Sequence, residues 1–227
     1  MQKHHGLPEL EVYLREATSE IEAELSLEDK GWILLGGAGQ DVLTALQRVD
    51  YVQRSRRYFT LDPLAKQSIR LWTDYTFGSG MSWQTDKEDT KKVLEGFWNA
   101  PGNQSTLSAR GQRRSSDKLL VDGEVFFAIF LGPQGEANIR RIDPLEITEI
   151  ITDPDDIEKV THYRRMWSTR QGSAKETLYR STTNLKGDPG VDALGNAVTQ
   201  NDEALVYHVA YNTIGERGLP ILLPALD

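Results

Sequence analysis

Apolar and polar positions recur along this chain with two different periods, helical through its first half and strand-like through its second. Leu10, Tyr13, Leu14, Ala17, Ile21 and Leu25 fall at helical spacing, with Glu9, Glu11, Glu16, Glu20, Glu22 and Glu24 around the other face, which predicts an acidic amphipathic helix. A terminal helix of this kind docks on its own domain, covers a neighbouring subunit in an oligomer, or stays disordered alone. Trp32 to Leu35 then runs into Gly36-Gly37-Ala38-Gly39, and a helical pattern follows from Asp41 through Val42, Ala45, Leu46 and Val49 to about Tyr58. The next helix has Asp62 as N-cap, Pro63 in its first turn and Gly78 at its end. Its Leu64, Ile69, Leu71, Trp72 and Tyr75 are expected to pack in the core. Gly78-Ser79-Gly80 turns into a short strand, Met81-Ser82-Trp83. A helix from about Asp86 to Asn99 then aligns Val93, Leu94, Phe97 and Trp98 before Pro101-Gly102 ends it. Ser105 is placed to cap a more polar helix running towards Leu120.

From Asp122 onwards the pattern changes. Val125, Phe126, Phe127, Ile129, Phe130 and Leu131 are strand formers, Gly132-Pro133-Gln134-Gly135 is a four-residue turn, and Ile139 to Ile142 returns as the partner strand of a hairpin. Glu146 to Ile151, Val160 to Trp167, Glu176 to Thr183 and Ala204 to Asn212 are strand-like, separated by Asp153-Pro154-Asp155-Asp156, by Gly172 and by the polar stretch Asn184 to Asn201. Helices followed by strands predict an α+β fold, with N-terminal helices and a mainly antiparallel β region. The predicted organisation is an acidic helix and glycine-rich linker over 1–40, a helical part over 41–121, a β-rich part over 122–215, and the opening of an apolar helix over 216–227, where the chain reads as truncated.

Composition narrows the chemistry. The 227 residues suffice for one large domain or two small ones of soluble globular type. A net charge of −8 leaves no overall basic field to draw the chain onto nucleic acid. Cysteine is absent, so disulfides, thiolate metal sites and cysteine nucleophiles are excluded, in keeping with assembly in a reducing cytoplasm. No stretch approaches the ~20 apolar residues of a membrane span. The glycine loop at 36–39 lacks the spacing of a dinucleotide fingerprint and has no Gly-Lys-Ser/Thr, so it reads as a turn or linker. Asp153, Asp155 and Asp156 lack the glycine and closing glutamate of a calcium loop, and Pro154 favours a tight turn. His162 and His208 lie within strand patterns beside Tyr163 and Tyr207, where a hydrogen-bonded structural role is the commoner one. No catalytic, metal-binding or cofactor-binding residue is assigned. Arginine comes in clusters: Arg54, Arg56 and Arg57; Arg110, Arg113 and Arg114; Arg140 and Arg141; Arg164 and Arg165. These are the candidates for DNA or subunit contacts, with ion pairs to the abundant acids as the favoured reading.

The order of motifs adds a family. Asp62-Pro63, the transition Tyr75-Thr76-Phe77-Gly78-Ser79-Gly80-Met81, Asp122-Gly123-Glu124-Val125-Phe126, Ile142-Asp143-Pro144, Val206-Tyr207-His208-Val209 and Arg217-Gly218-Leu219-Pro220 together resemble the N-terminal half of bacteriophage portal proteins, from about Val49 to Asp227. The resemblance implies a wing-like fold and a ring-forming subunit, dodecameric in the virion, at one capsid vertex. The implied partners are other copies of the chain, the large terminase subunit, major capsid and scaffold proteins, head-completion or tail-connector proteins, and double-stranded DNA passing through the channel. Stem helices, most of the clip and the crown of that family have no counterpart here. The alternatives are a nucleic-acid-processing enzyme built around His162 and His208, and a monomeric phage adaptor binding a partner through the hairpin.

Overall fold

The computed structural model describes residues 43–132, 135–153, 156–168, 172, 174–184 and 200–225. The predicted acidic helix and glycine-rich linker of residues 1–40 lie outside them. Among the described residues, five helices come first. Helix α1 (Ala45–Leu61) opens with a reciprocal capping box between Thr44 and Gln47, and α2 (Pro63–Phe77) follows after a single residue. Asp62 makes that corner. Its N–H donates to the Tyr58 carbonyl at the end of α1, and its carboxylate accepts from Ala65 N at 2.7 Å at the start of α2. Pro63 has no N–H to continue α1 and biases Asp62 towards extended backbone, so the two helices cannot merge. Helices α3 (Glu88–Asn99), α4 (Gln104–Leu107) and α5 (Ala109–Asp122) complete the set.

Three expectations are corrected here. The polar helix expected from Ser105 is two helices, because Ser108 takes an extended conformation and its hydroxyl accepts from Gly111 N at 3.1 Å, capping α5. Met81-Ser82-Trp83 is not a strand. The Met81 backbone is held by a side chain instead: its N–H donates to Gln112 Oε1 at 2.6 Å and its carbonyl accepts from Gln112 Nε2 at 3.2 Å. The aromatics of α2 are not core residues either. Ala65, Ile69 and Thr73 form its buried face, while Leu64, Trp72 and Tyr75 are 75%, 55% and 84% exposed.

Chain direction changes at Gly123, whose φ of +85° ends α5 in the left-handed conformation that glycine tolerates best. Beyond it lie β1 (Glu124–Leu131), β2 (Ala137–Ile142), a 3-10 turn at Pro144–Glu146, β3 (Ile147–Asp153), β4 (Asp156–Ser168), β5 (Ala174–Ser181) and β6 (Gln200–Ala210). The hairpin of β1 and β2 forms as predicted, in register from Phe126 opposite Ile142 to Leu131 opposite Ala137. All six strands join one sheet in the order β2-β1-β6-β5-β4-β3, antiparallel except where β5 meets β6. The fold is therefore α+β. A small ribbon of β7 (Thr213–Ile214) and β8 (Arg217–Gly218) follows.

That sheet cannot be flat. Six strands laid side by side would separate the edges β2 and β3 by about 24 Å. The chain nevertheless passes from Ile142 on one edge to Ile147 on the other in five steps, about 17 Å at full extension. Curling brings the edges together and encloses Phe126, Ala128, Ile142, Ile147, Tyr163, Tyr179, Ala204 and Val206 as one core. Phe126 on β1 thus meets Tyr163 on β4 edge to face at 5.5 Å, although two strands lie between them. A second core joins Ala65, Ile69, Leu120 and Val121 of the helices to Leu222. Where the opening of an apolar helix was predicted, Leu219 and Pro220 are buried, Ile221 N donates to the Leu120 carbonyl at 3.0 Å, and one 3-10 turn covers Leu223–Ala225.

Candidate functional site

Helices and sheet are joined through a buried polar junction centred on Glu124. The residue is fully buried because it occupies the step from α5 into β1, where the backbone is enclosed by the tail. Arg217 Nη2 donates to Glu124 Oε1 at 2.6 Å, and Gly218 N donates to Oε2 at 3.3 Å. His208 Nε2 lies 3.2 Å from Oε2, and Arg48 Nη1 lies 3.7 Å from Oε1. The two arginines also share acceptors. Each donates to the carbonyls of Pro144 and Ile147, which flank the turn between the sheet edges. His208 is held flat against Phe126, ring centroids 4.2 Å apart.

A second knot adjoins the first along the backbone. Arg56 grips Asp122 with two parallel bonds of 2.8 and 2.9 Å and reaches Asp143 at 2.7 Å. Asp143 also accepts from Leu145 N and so caps the 3-10 turn. Across both knots, Arg48, Arg56 and Arg217, with Lys118 at 3.9 Å from Asp122, face Asp122, Glu124 and Asp143. Two glycines allow the approach. A Cβ on Gly123 would strike the Gly218 and Leu219 backbone, and one on Gly218 would strike the Gly123 carbonyl.

Electrostatics follow from this enclosure. Burial alone would raise the Glu124 pKa, but Arg217, His208 and Arg48 outweigh it and hold the carboxyl below its usual range. Burial likewise opposes ionisation of Asp143, and Arg56 with the Leu145 amide reverses it. For Arg56, desolvation is outweighed by Asp122 and Asp143, which raise its pKa. Arg48 moves the other way: burial first and Arg217 second lower it to about 10. An ionised carboxylate only accepts, so His208 presents Nε2–H to Glu124.

The predicted arginines divide between internal anchors and the surface. Arg56 belongs to the junction. Arg141 ties β2 to the helices through the Gly111 carbonyl, Ser115 Oγ and the Ser105 carbonyl, at 2.7 to 2.8 Å. Arg164 pairs with Glu149 and Glu176, and Arg165 pairs with Glu146 while lying over the Trp167 ring. Arg113 pairs with Asp74, and Arg54 with Asp50. Arg140 lies over Phe130, while Arg57 and Arg114 are exposed with no carboxylate in ion-pair reach among the described residues. Among the described residues, His162 on β4 and His208 on β6 lie on strands separated by β5. His162 sits opposite Arg180 on β5, itself level with Leu205 rather than His208 on β6.

Sequence reasoning missed Glu124, Arg48, Arg217 and Asp143 as a unit. The available signal was the placing of Asp122-Gly123-Glu124, Asp143-Pro144 and Arg217-Gly218 at element ends. A separate cleft of about 350 Å³ opens between α5 and the outer face of the sheet, lined by Phe77, Met81, Leu119, Phe127, Ile129 and Tyr207 among others. Among the described residues there is no group of three or more acids or histidines suited to a metal, and no helix long and apolar enough to cross a membrane. Neither a protein-family model nor a curated protein matches the chain.

Proposed function

We propose that this chain is a non-enzymatic subunit of a phage portal ring, set at a capsid vertex, through which double-stranded DNA is packaged and ejected. The observation that carries this reading is the convergence of four of the six motifs behind the resemblance. Asp122-Gly123-Glu124, Asp143-Pro144, His208 and Arg217-Gly218 make contacts across up to 94 residues, and each contributes to one buried junction. Unrelated local likenesses have no reason to meet in space. Parts of one shared architecture do. The junction also argues for structure rather than catalysis, since its carboxylates are saturated by arginines, a histidine and backbone amides.

Charge supports the same role. A channel should surround DNA without gripping it, because every neutralised phosphate adds affinity that resists translocation. A subunit with net charge −8, whose arginines are largely engaged internally, meets that requirement. On this reading the partners are other copies of the chain, the terminase, capsid and scaffold proteins, and connector proteins, and the destination is the virion.

Native mass spectrometry of the full-length gene product tests the proposal. A closed ring of about a dozen subunits is expected, an order of cyclic closure foreign to ordinary enzymes and adaptors. A stable monomer or dimer would overturn it and favour the adaptor. Cleavage of DNA on addition of a divalent metal would favour the enzyme.

A further inference from the structure

Helix α2 carries an apolar face that nothing among the described residues covers. Leu64, Ser68, Leu71, Trp72 and Tyr75 are exposed and, at about 100° per residue, fall within roughly one quadrant to one third of the helix surface. At its start the stripe meets Leu61, 68% exposed, which with Arg54, Arg57 and Tyr58 lines a shallow depression of about 200 Å³. A stripe this apolar and this continuous is not an ordinary scatter of surface residues. Beside it Arg54 and Arg57 are exposed, the latter with no carboxylate in ion-pair reach among the described residues.

The chain holds the complement. Residues 1–42 contain nine acids and only three lysines and arginines, giving −6 of the total −8. Within them Leu10, Leu14, Ala17, Ile21 and Leu25 recur at i, i+4, i+7, i+11 and i+15, matching the i, i+4, i+7 and i+11 spacing of Leu64, Ser68, Leu71 and Tyr75. Lengths agree as well. As a helix, Leu10 to Leu25 would span about 22 Å, and Leu64 to Tyr75 spans about 16 Å, with Leu61 extending the surface. The tether reaches: residues 26–43 extend to roughly 60 Å, whereas α1, which separates the tether's end from α2, is about 26 Å long.

We propose that the acidic segment from Leu10 to Leu25 docks as an amphipathic helix on the exposed face of α2 of its own chain. Leu14 and Ile21 lie on the stripe, and the flanking glutamates face Arg54 and Arg57. Docking would bury the stripe and set acids against Arg54 and Arg57.

Absence of cysteine allows a direct test in the full-length chain. Ser68→Cys is combined either with Leu14→Cys on the apolar face or with Glu16→Cys on the polar one, and each protein is treated with a short bis-maleimide. The Leu14 pair is expected to bridge within one chain about tenfold faster than the Glu16 pair, because docking raises its effective concentration above that of a free tether. Arg54→Glu with Arg57→Glu should slow the Leu14 reaction towards the Glu16 rate. Equal rates for the two pairs would overturn the proposal. So would a product, read by intact mass, in which the bridge joins two chains, because the segment would then cover a neighbouring copy.

Discussion

Glu124 shows how a single buried charge is tolerated. Its two oxygens face two arginines, a histidine and a backbone amide, so the cost of removing it from water is offset only while all of them stay in place. Replacing it with glutamine keeps the shape and removes the charge, leaving Arg48 and Arg217 confined together. Glu124→Gln is expected to lose about 3–5 kcal/mol of stability in urea unfolding. An unchanged midpoint would mean that the carboxylate contributes nothing net. The acid dependence has a definite sign. Glu124 and Asp143 both hold protons less readily when folded, so the stability they add is complete above the ordinary carboxylate range and drains as pH falls through their lowered folded values. The thermal midpoint should hold above about pH 5 and fall towards about pH 3, and the fall should be shallower in Glu124→Gln.

Among the elements, β2 depends on a residue that is not in the sheet. Asn103, fully buried just before α4, donates from Nδ2 to the Phe97 carbonyl of α3 and the Ala137 carbonyl of β2, and its Oδ1 accepts from Ile139 N at 2.9 Å. Asn103→Ala leaves an amide and two carbonyls unpartnered, at an expected cost of about 2–4 kcal/mol. Hydrogen exchange at Ile139 should quicken selectively; unaltered protection there would show that water replaces the side chain. Local chemistry made some elements legible beforehand and left others hidden. The β1–β2 hairpin and the Asp62-Pro63 to Gly78 limits of α2 were readable because turn and cap residues act on their own neighbours. Met81 to Trp83 misled because strand-like residues need a partner strand, and here Gln112 supplies the hydrogen bonds. Glu124 looked like an ordinary first residue of a strand. Its partners His208 and Arg217 lie 84 and 93 residues away, a distance over which no periodicity carries information.

At the scale of the whole molecule, helices and curled sheet meet at one buried joint of paired charges. The strand order carries a further consequence, for the route by which the protein acquires its form. Among the described residues β6 is the last long strand in chain order, yet it lies between β1 and β5, pairing antiparallel with one and parallel with the other. The hairpin β1–β2 and the meander β3–β4–β5 can each form from neighbouring residues, but until β6 arrives each presents a bare inner edge. Closing the sheet is therefore a late, long-range event, which favours slow folding and leaves an interval open to mispairing. Pulse-labelled exchange during refolding should protect Arg140, whose N–H faces β1 because that of its neighbour Ile139 faces Asn103, and Tyr179 in the local pairs before Val206, and simultaneous protection of all three would argue for a single concerted step. A nascent chain halted before Gln200 would consequently hold two half-sheets in need of each other, and of the one strand that joins them.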